Sequence, residues 1–162
     1  MHQALRIVYV RELDTLDREV ALYPNDASLW KDLPGCSNTG GNLALHLVGN
    51  LRHFVGAQLG GTGYVRHREA EFSTKGLSRE AVRELIASAR AEVDGALKGL
   101  SEARLSEPFP IPINAVVLSN GVALTHLLSH LAFHLGQIDY HRRAVTGDRA
   151  SADVLSLAAL QA

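Results

Sequence analysis

Apolar residues recur along this chain at helical spacing and are broken at four joints, so the pattern predicts helices and no strands. From about His2 to Tyr23, Leu5, Tyr9, Leu13, Leu16 and Val20 fall three or four residues apart, the period of one face of a helix. Pro24 stops that run, because the residue before a proline is pushed out of the α region. A connection follows from Pro24 to Gly40 and contains Trp30, Pro34, Gly35 and Cys36. A second helix is predicted from Gly41 to Gly60-Gly61. It carries two apolar stripes, Leu43-Leu47-Asn50-Phe54-Gln58 and Leu45-Val48-Leu51-Val55, and a helix apolar on most sides belongs in a core. Residues 61–76 are glycine-rich and polar and read as a loop holding Arg66, His67 and Arg68.

The third helix opens on Ser78 as N-cap, with Glu80 in its first turn. Val82, Leu85, Ile86, Ala89, Val93, Leu97 and Leu100 form its apolar stripe. Three prolines between Ser106 and Val117 exclude a continuous helix there, and the segment is expected to run extended across one end of the molecule. The fourth helix is predicted from Asn120 to Thr146, with Gly147 as C-cap. Ser151 is expected to cap a short terminal helix reaching Leu160. The fold class is therefore all-α: a four-helix bundle with long interhelical connections and a short C-terminal helix, one domain over residues 1–162. Connections this long are unusual in an up-and-down bundle, so they are expected to cross over or to carry function.

Charge narrows the classes of partner. Sixteen Lys and Arg oppose seventeen Asp and Glu, for a net charge of −1, and no basic cluster is dense enough to track phosphates; nucleic acid is not an expected partner. No apolar run reaches the roughly 18 residues of a membrane span. The N-terminus lacks the apolar core of a signal peptide, and the only cysteine is Cys36, so a reducing cytoplasm is the expected location.

The chemistry lies in the histidines, of which there are eight. His126, His130 and His134 follow one another at intervals of four in the fourth helix, and residues i and i+4 share a face. The outer two stand about 12 Å apart along the axis, too far for one ion with metal–nitrogen bonds of about 2 Å. Only two of the three can share a metal, either His126 with His130 or His130 with His134, and a third ligand must come from another helix. His46, inside the apolar run Leu43-Ala44-Leu45-His46-Leu47-Val48, is the best candidate. His53 lies about 10.5 Å further along and follows Arg52 toward solvent, so only one of the two should reach the site. Taken singly, His46 reads more readily as a satisfied core residue than as a ligand.

His46-Leu47-Val48-Gly49-Asn50, followed by His130, His134, Gly136, Gln137 and Ile138 in the fourth helix, resembles the DinB-like superfamily. The resemblance runs over essentially the whole chain, including the approach from Trp30 to Gly41 and the tail Asp139-Tyr140-His141-Arg142-Arg143. It implies a bundle whose metal ligands are His46, His130 and His134, with His126 one turn away outside the ligand set. It implies a divalent ion (nickel, zinc or iron), and neutral imidazoles suit all three. Asn50, Gln137 and Asp139 are the polar groups near enough in sequence to support ligands, although Asn50 and Gln137 read more simply as hydrogen bonds between helices.

Some relatives are transferases that use a low-molecular-weight thiol such as bacillithiol or mycothiol. The resemblance therefore implies, as one function, a metal-activated thiol attacking a small-molecule electrophile. Arg142 and Arg143 are then candidates for binding the thiol's carboxylates, against the simpler role of complementing a helix C-terminus. Cys36, in a loop, reads as an incidental thiol. Two alternatives use the same histidines: a hydrolase acting through bound water, and a non-enzymatic metal- or ligand-binding stress-response protein. The resemblance and the apolar excess of the second helix also point to a homodimer. No Glu-x-x-His, His-Glu-x-x-His, Walker A or dinucleotide glycine motif is present.

Overall fold

The computed structural model describes residues 1–160. Its elements are helices α1 (His2–Ala21), α2 (Asp26–Leu29), α3 (Gly40–Leu51), α4 (Arg68–Ser73), α5 (Arg79–Lys98) and α6 (Asn120–Thr146). A π-helical segment, Arg52–Ala57, continues α3, and 3-10 turns occupy Ala103–Ser106 and Ala158–Leu160. Among the described residues there are no strands, only isolated bridges joining Pro108 to Ser119 and Ile113 to Val116. None of the helices is long and apolar enough to cross a membrane.

Four long helices enclose the core. α1 packs on α5 and α6, and α3 packs on the same two, so α1 faces α3 across the bundle and α5 faces α6. The polar cross-links fix the directions. Tyr9 donates to the Leu124 carbonyl, and Glu19 pairs with Arg142 further along both helices, so α1 and α6 run parallel. Asp14 pairs with Arg90 and Asp17 with Arg83, so α1 and α5 are antiparallel. Gly40 lies against His141 and His46 against His130, making α3 antiparallel to α6. α3 and α5 are thus parallel neighbours. The chain joins diagonal helices through residues 22–39 and 99–119, and it must return along the bundle through residues 58–78. These constraints explain the length of all three connections.

The predicted caps form as the sequence indicates. Ser78 Oγ accepts from Ala81 N, and Gly147 takes the left-handed conformation that ends α6, at φ 70°. Every residue of α3 is buried, which accounts for a helix apolar on nearly all sides. Its N-cap is Thr39, whose hydroxyl accepts from Asn42 N and donates to Asn42 Oδ1.

Several expectations are corrected. The second helix is α-helical only to Leu51 and then widens to a π-helical turn, with Gln58 N bonded to the His53 carbonyl. Gly56 and Gly60 let that turn close on Glu92 and Ala96 of α5. Residues 61–76 are not a plain loop, because they contain α4. The expected terminal helix does not form: Ser151 Oγ accepts from Asp153 N in a tight turn, and Asp153 and Leu155 take positive φ of 54° and 60°. Backbone in that region cannot continue a right-handed helix, so only the 3-10 turn at Ala158–Leu160 remains. The Ser106–Val117 segment runs extended as expected, turning at Asn114 and Ala115.

Candidate metal centre

Antiparallel packing of α3 on α6 brings three imidazoles to one point. One ring nitrogen from each of His46, His130 and His134 lies within 4.8 Å of the others, and His46 Nε2 is 3.1 Å from His130 Nε2. Two nitrogens each about 2.1 Å from a common ion are separated by about that much. His126 stays outside the cluster but lines the same cavity.

The outward-facing nitrogens decide which ring atoms are free to ligate. His46 Nδ1 donates to Glu71 Oε2 at 2.9 Å, and His134 Nδ1 donates to Gln137 Oε1 at 2.6 Å. Each bond fixes the tautomer and leaves an Nε2 lone pair for the centre, as ligands of a metal require. His130 Nδ1 is buried and has no partner among the described residues. Burial, reinforced by the neighbouring His134 and His46, holds His130 down at about 4, and burial also lowers His134. Both imidazoles are neutral near pH 7 and so able to ligate. The donor set fits a divalent ion.

Glu71 is the group that sequence reasoning missed. It sits on α4, in the segment read as a loop, and is buried at 6 % exposure. Arg66 grips both of its oxygens, Nε to Oε1 at 2.6 Å and a terminal nitrogen to Oε2 at 2.8 Å. Burial pushes the Glu71 carboxyl up, but the bonds from Arg66 and His46 outweigh it and hold the group below the usual carboxylate range. Gly49, one turn after His46, provides the seat, because a Cβ there would overlap the carboxylate. Asn42 Nδ2 reaches the carbonyls of Glu71, Phe72 and Thr74 and pins α4 to α3. Gly49 in the His46 motif was the available sequence signal: a small residue on a buried helix marks close approach by something else.

The remaining sequence candidates divide. Gln137 supports His134, whereas Asn50 makes no bond through Oδ1, which is buried in the cavity wall. Asp139 binds Arg142 and Arg143 instead of a ligand. Arg142 is fully buried against Glu19, so it cannot hold a thiol's carboxylates, and it is not surface either. Arg143 is likewise engaged by Asp139 and the Arg149 carbonyl. His53 is half-buried beside Phe54, not turned to solvent; its Nδ1 lacks a partner among the described residues, and burial lowers its pKa. Cys36 is exposed in the α2–α3 connection.

The three imidazoles open into a cavity of about 420 Å³. Leu43 and Leu127 supply apolar wall, Phe72 stacks beside His46, and Ile113 and Asn114 reach in from the extended segment. Arg66 and Arg68 make one side cationic, with Arg68 lying over the Phe72 ring. Such a site can hold an ion with open positions beside a small anionic molecule. Among curated proteins, none matches the chain. Across residues 10–138 it matches the family described as the DinB superfamily.

Proposed function

The chain belongs to the DinB superfamily, and from that premise we propose that it is a metal-dependent S-transferase that joins a low-molecular-weight thiol to a small electrophile. The observation that carries this reading is the convergence of three imidazoles on a cavity with a cationic side. His46, His130 and His134 would hold the ion. When bound, a divalent ion at three neutral ligands supplies undiminished positive charge that makes a nearby thiol acidic.

The protein's own residues do the rest. Arg68 attracts the carboxylates of the thiol, Arg66 being spent on Glu71. The Asn50 side-chain amide, in the cavity wall, donates a hydrogen bond to an acceptor group of the same molecule. His126, in the cavity but outside the cluster, takes the sulfhydryl proton. The sulfur pair then forms the new S–C bond, and the leaving group departs with the electrons of the bond that breaks. Phe72, Leu43 and Leu127 keep that carbon away from water.

Elemental analysis of the purified protein tests the first part. About one divalent ion per chain is expected, lost in His46→Ala and in His130→Ala, and retention of the ion by both variants would sink the assignment. Thiol consumption by the metal-loaded protein across a panel of electrophiles tests the second. Turnover that proceeds without thiol would select a hydrolase using bound water. Full metal occupancy with no turnover would leave a binding protein.

A further inference from the structure

A second cleft, of about 480 Å³, shares its inner wall with the metal cavity. Asn38, Leu43 and His134 line both, so the two meet at the histidine cluster. The rest of the second cleft is formed by the α2–α3 connection, with Leu33 and Cys36, and by the last turns of α6, with Tyr140 and Ala144.

The two sides differ in charge. Arg66 and Arg68 border the metal cavity, whereas among the described residues no Asp, Glu, Lys or Arg lines the second cleft. Its floor is fixed: Tyr23 OH donates to His141 Nδ1 at 2.7 Å, and His141 Nε2 donates to the Lys31 carbonyl at 2.8 Å. Both ring nitrogens of His141 are therefore spent on structure, and the Lys31 end of the loop is tied to α6. Gly40 makes that clasp fit, since a Cβ there would run into Tyr23 and His141. Tyr140, at 77 % exposure, presents its ring to solvent at the rim. An uncharged cleft with an exposed aromatic wall and a rigid floor suits a small apolar molecule.

We infer that this second cleft receives the electrophile, an uncharged small molecule with an apolar or aromatic body, and delivers its reacting carbon past His134 to the thiol in the cationic cavity. The assignment rests on the S-transfer reading. It separates the substrates by charge, so that a thiol carrying carboxylates and a neutral electrophile approach the cluster from opposite sides of one imidazole.

Cys36 makes the cleft directly measurable, because it is the only cysteine in the chain and lies in the wall. The full-length protein, without added thiol, is treated with iodoacetamide, and alkylation is followed by intact mass with 1,3-dinitrobenzene present as an unreactive neutral probe. Saturable slowing by about fivefold or more is expected, as for a thiol covered by a ligand that buries most of its surface. Benzenesulfonate, an aromatic anion, should give none. Tyr140→Ala should raise the half-protecting probe concentration about fivefold, the size of one lost aromatic contact, read against that variant's own unprotected alkylation rate. An alkylation rate indifferent to the probe, equal protection by the anion, or an unshifted Tyr140→Ala curve would each overturn the assignment. Protection without thiol turnover would keep the cleft as a site for an uncharged ligand and remove the S-transfer reading; turnover without protection would do the reverse.

Discussion

At His46 the Glu71 carboxylate both selects the tautomer and fixes the ring plane, and it is held by Arg66 from one side and by the gap at Gly49 from the other. Glu71→Gln keeps the shape but removes the charge and weakens the Arg66 grip. Metal affinity is expected to fall about 10- to 100-fold, the usual effect of losing such a support, and chelator competition measures it. Gly49→Ala should move affinity in the same direction by unseating Glu71, and an unchanged affinity in both variants would show that His46 needs no help. The metal-free protein should also be acid-sensitive in a defined window. His130 is held down at about 4, so between the ordinary imidazole range near 6.5 and about 4 the unfolded chain binds a proton that the native state refuses. Native stability therefore falls as pH drops through that window. His134 and His53 are lowered too and act in the same sense. Melting of chelated protein from pH 7 to 4 should show the decline, and His130→Leu should make it shallower.

The helices vary in how completely sequence declares them. α6 declares its end through Gly147 and α5 its start through Ser78, because caps are local chemistry between residues a few positions apart. α4 declares nothing: it has only six residues, its N-cap His67 makes no side-chain cap bond, and Asn42 of another helix secures it. The π-helical turn after Leu51 was equally hidden, because its cause is the fit of Gly56 and Gly60 against α5. Close approach of this kind gives a prediction for α3. A Cβ on Gly41 would come within 2.6 Å of the Trp30 ring, and Trp30 is tied to the Leu77 carbonyl. Gly41→Ala should cost about 1–3 kcal/mol by overpacking. Denaturant unfolding followed by fluorescence reads this directly, since Trp30 is the only tryptophan.

Across the molecule, the buried Glu19–Arg142 pair joins α1 to α6 and, through the Ala150 carbonyl, anchors the chain beyond Gly147. Burial pushes the Glu19 carboxyl up even though Arg142 opposes it. Both side chains are at 0 % exposure. Arg142→Ala leaves a buried carboxylate uncompensated and should cost about 3–5 kcal/mol. Glu19→Leu with Arg142→Met should recover much of that loss, and thermal unfolding of the two variants decides it. Metal content per folded chain should be unaffected in both, because neither residue lines the metal cavity.

By itself the sequence determined the all-α class, the four long helices and the trio His46, His130 and His134 as the set to bring together. Periodicity, caps and helix rise depend on residues only a few positions apart, and the family pattern supplied the rest. Only the tertiary structure decided that α3 and α5 run parallel, that the return connection carries Glu71 and Arg66 to His46, and that Arg142 is buried. Those outcomes depend on which helix faces which, and residues 20 to 123 positions apart meet to produce them. Their spacing along the chain carries no trace of such a meeting until the bundle is packed.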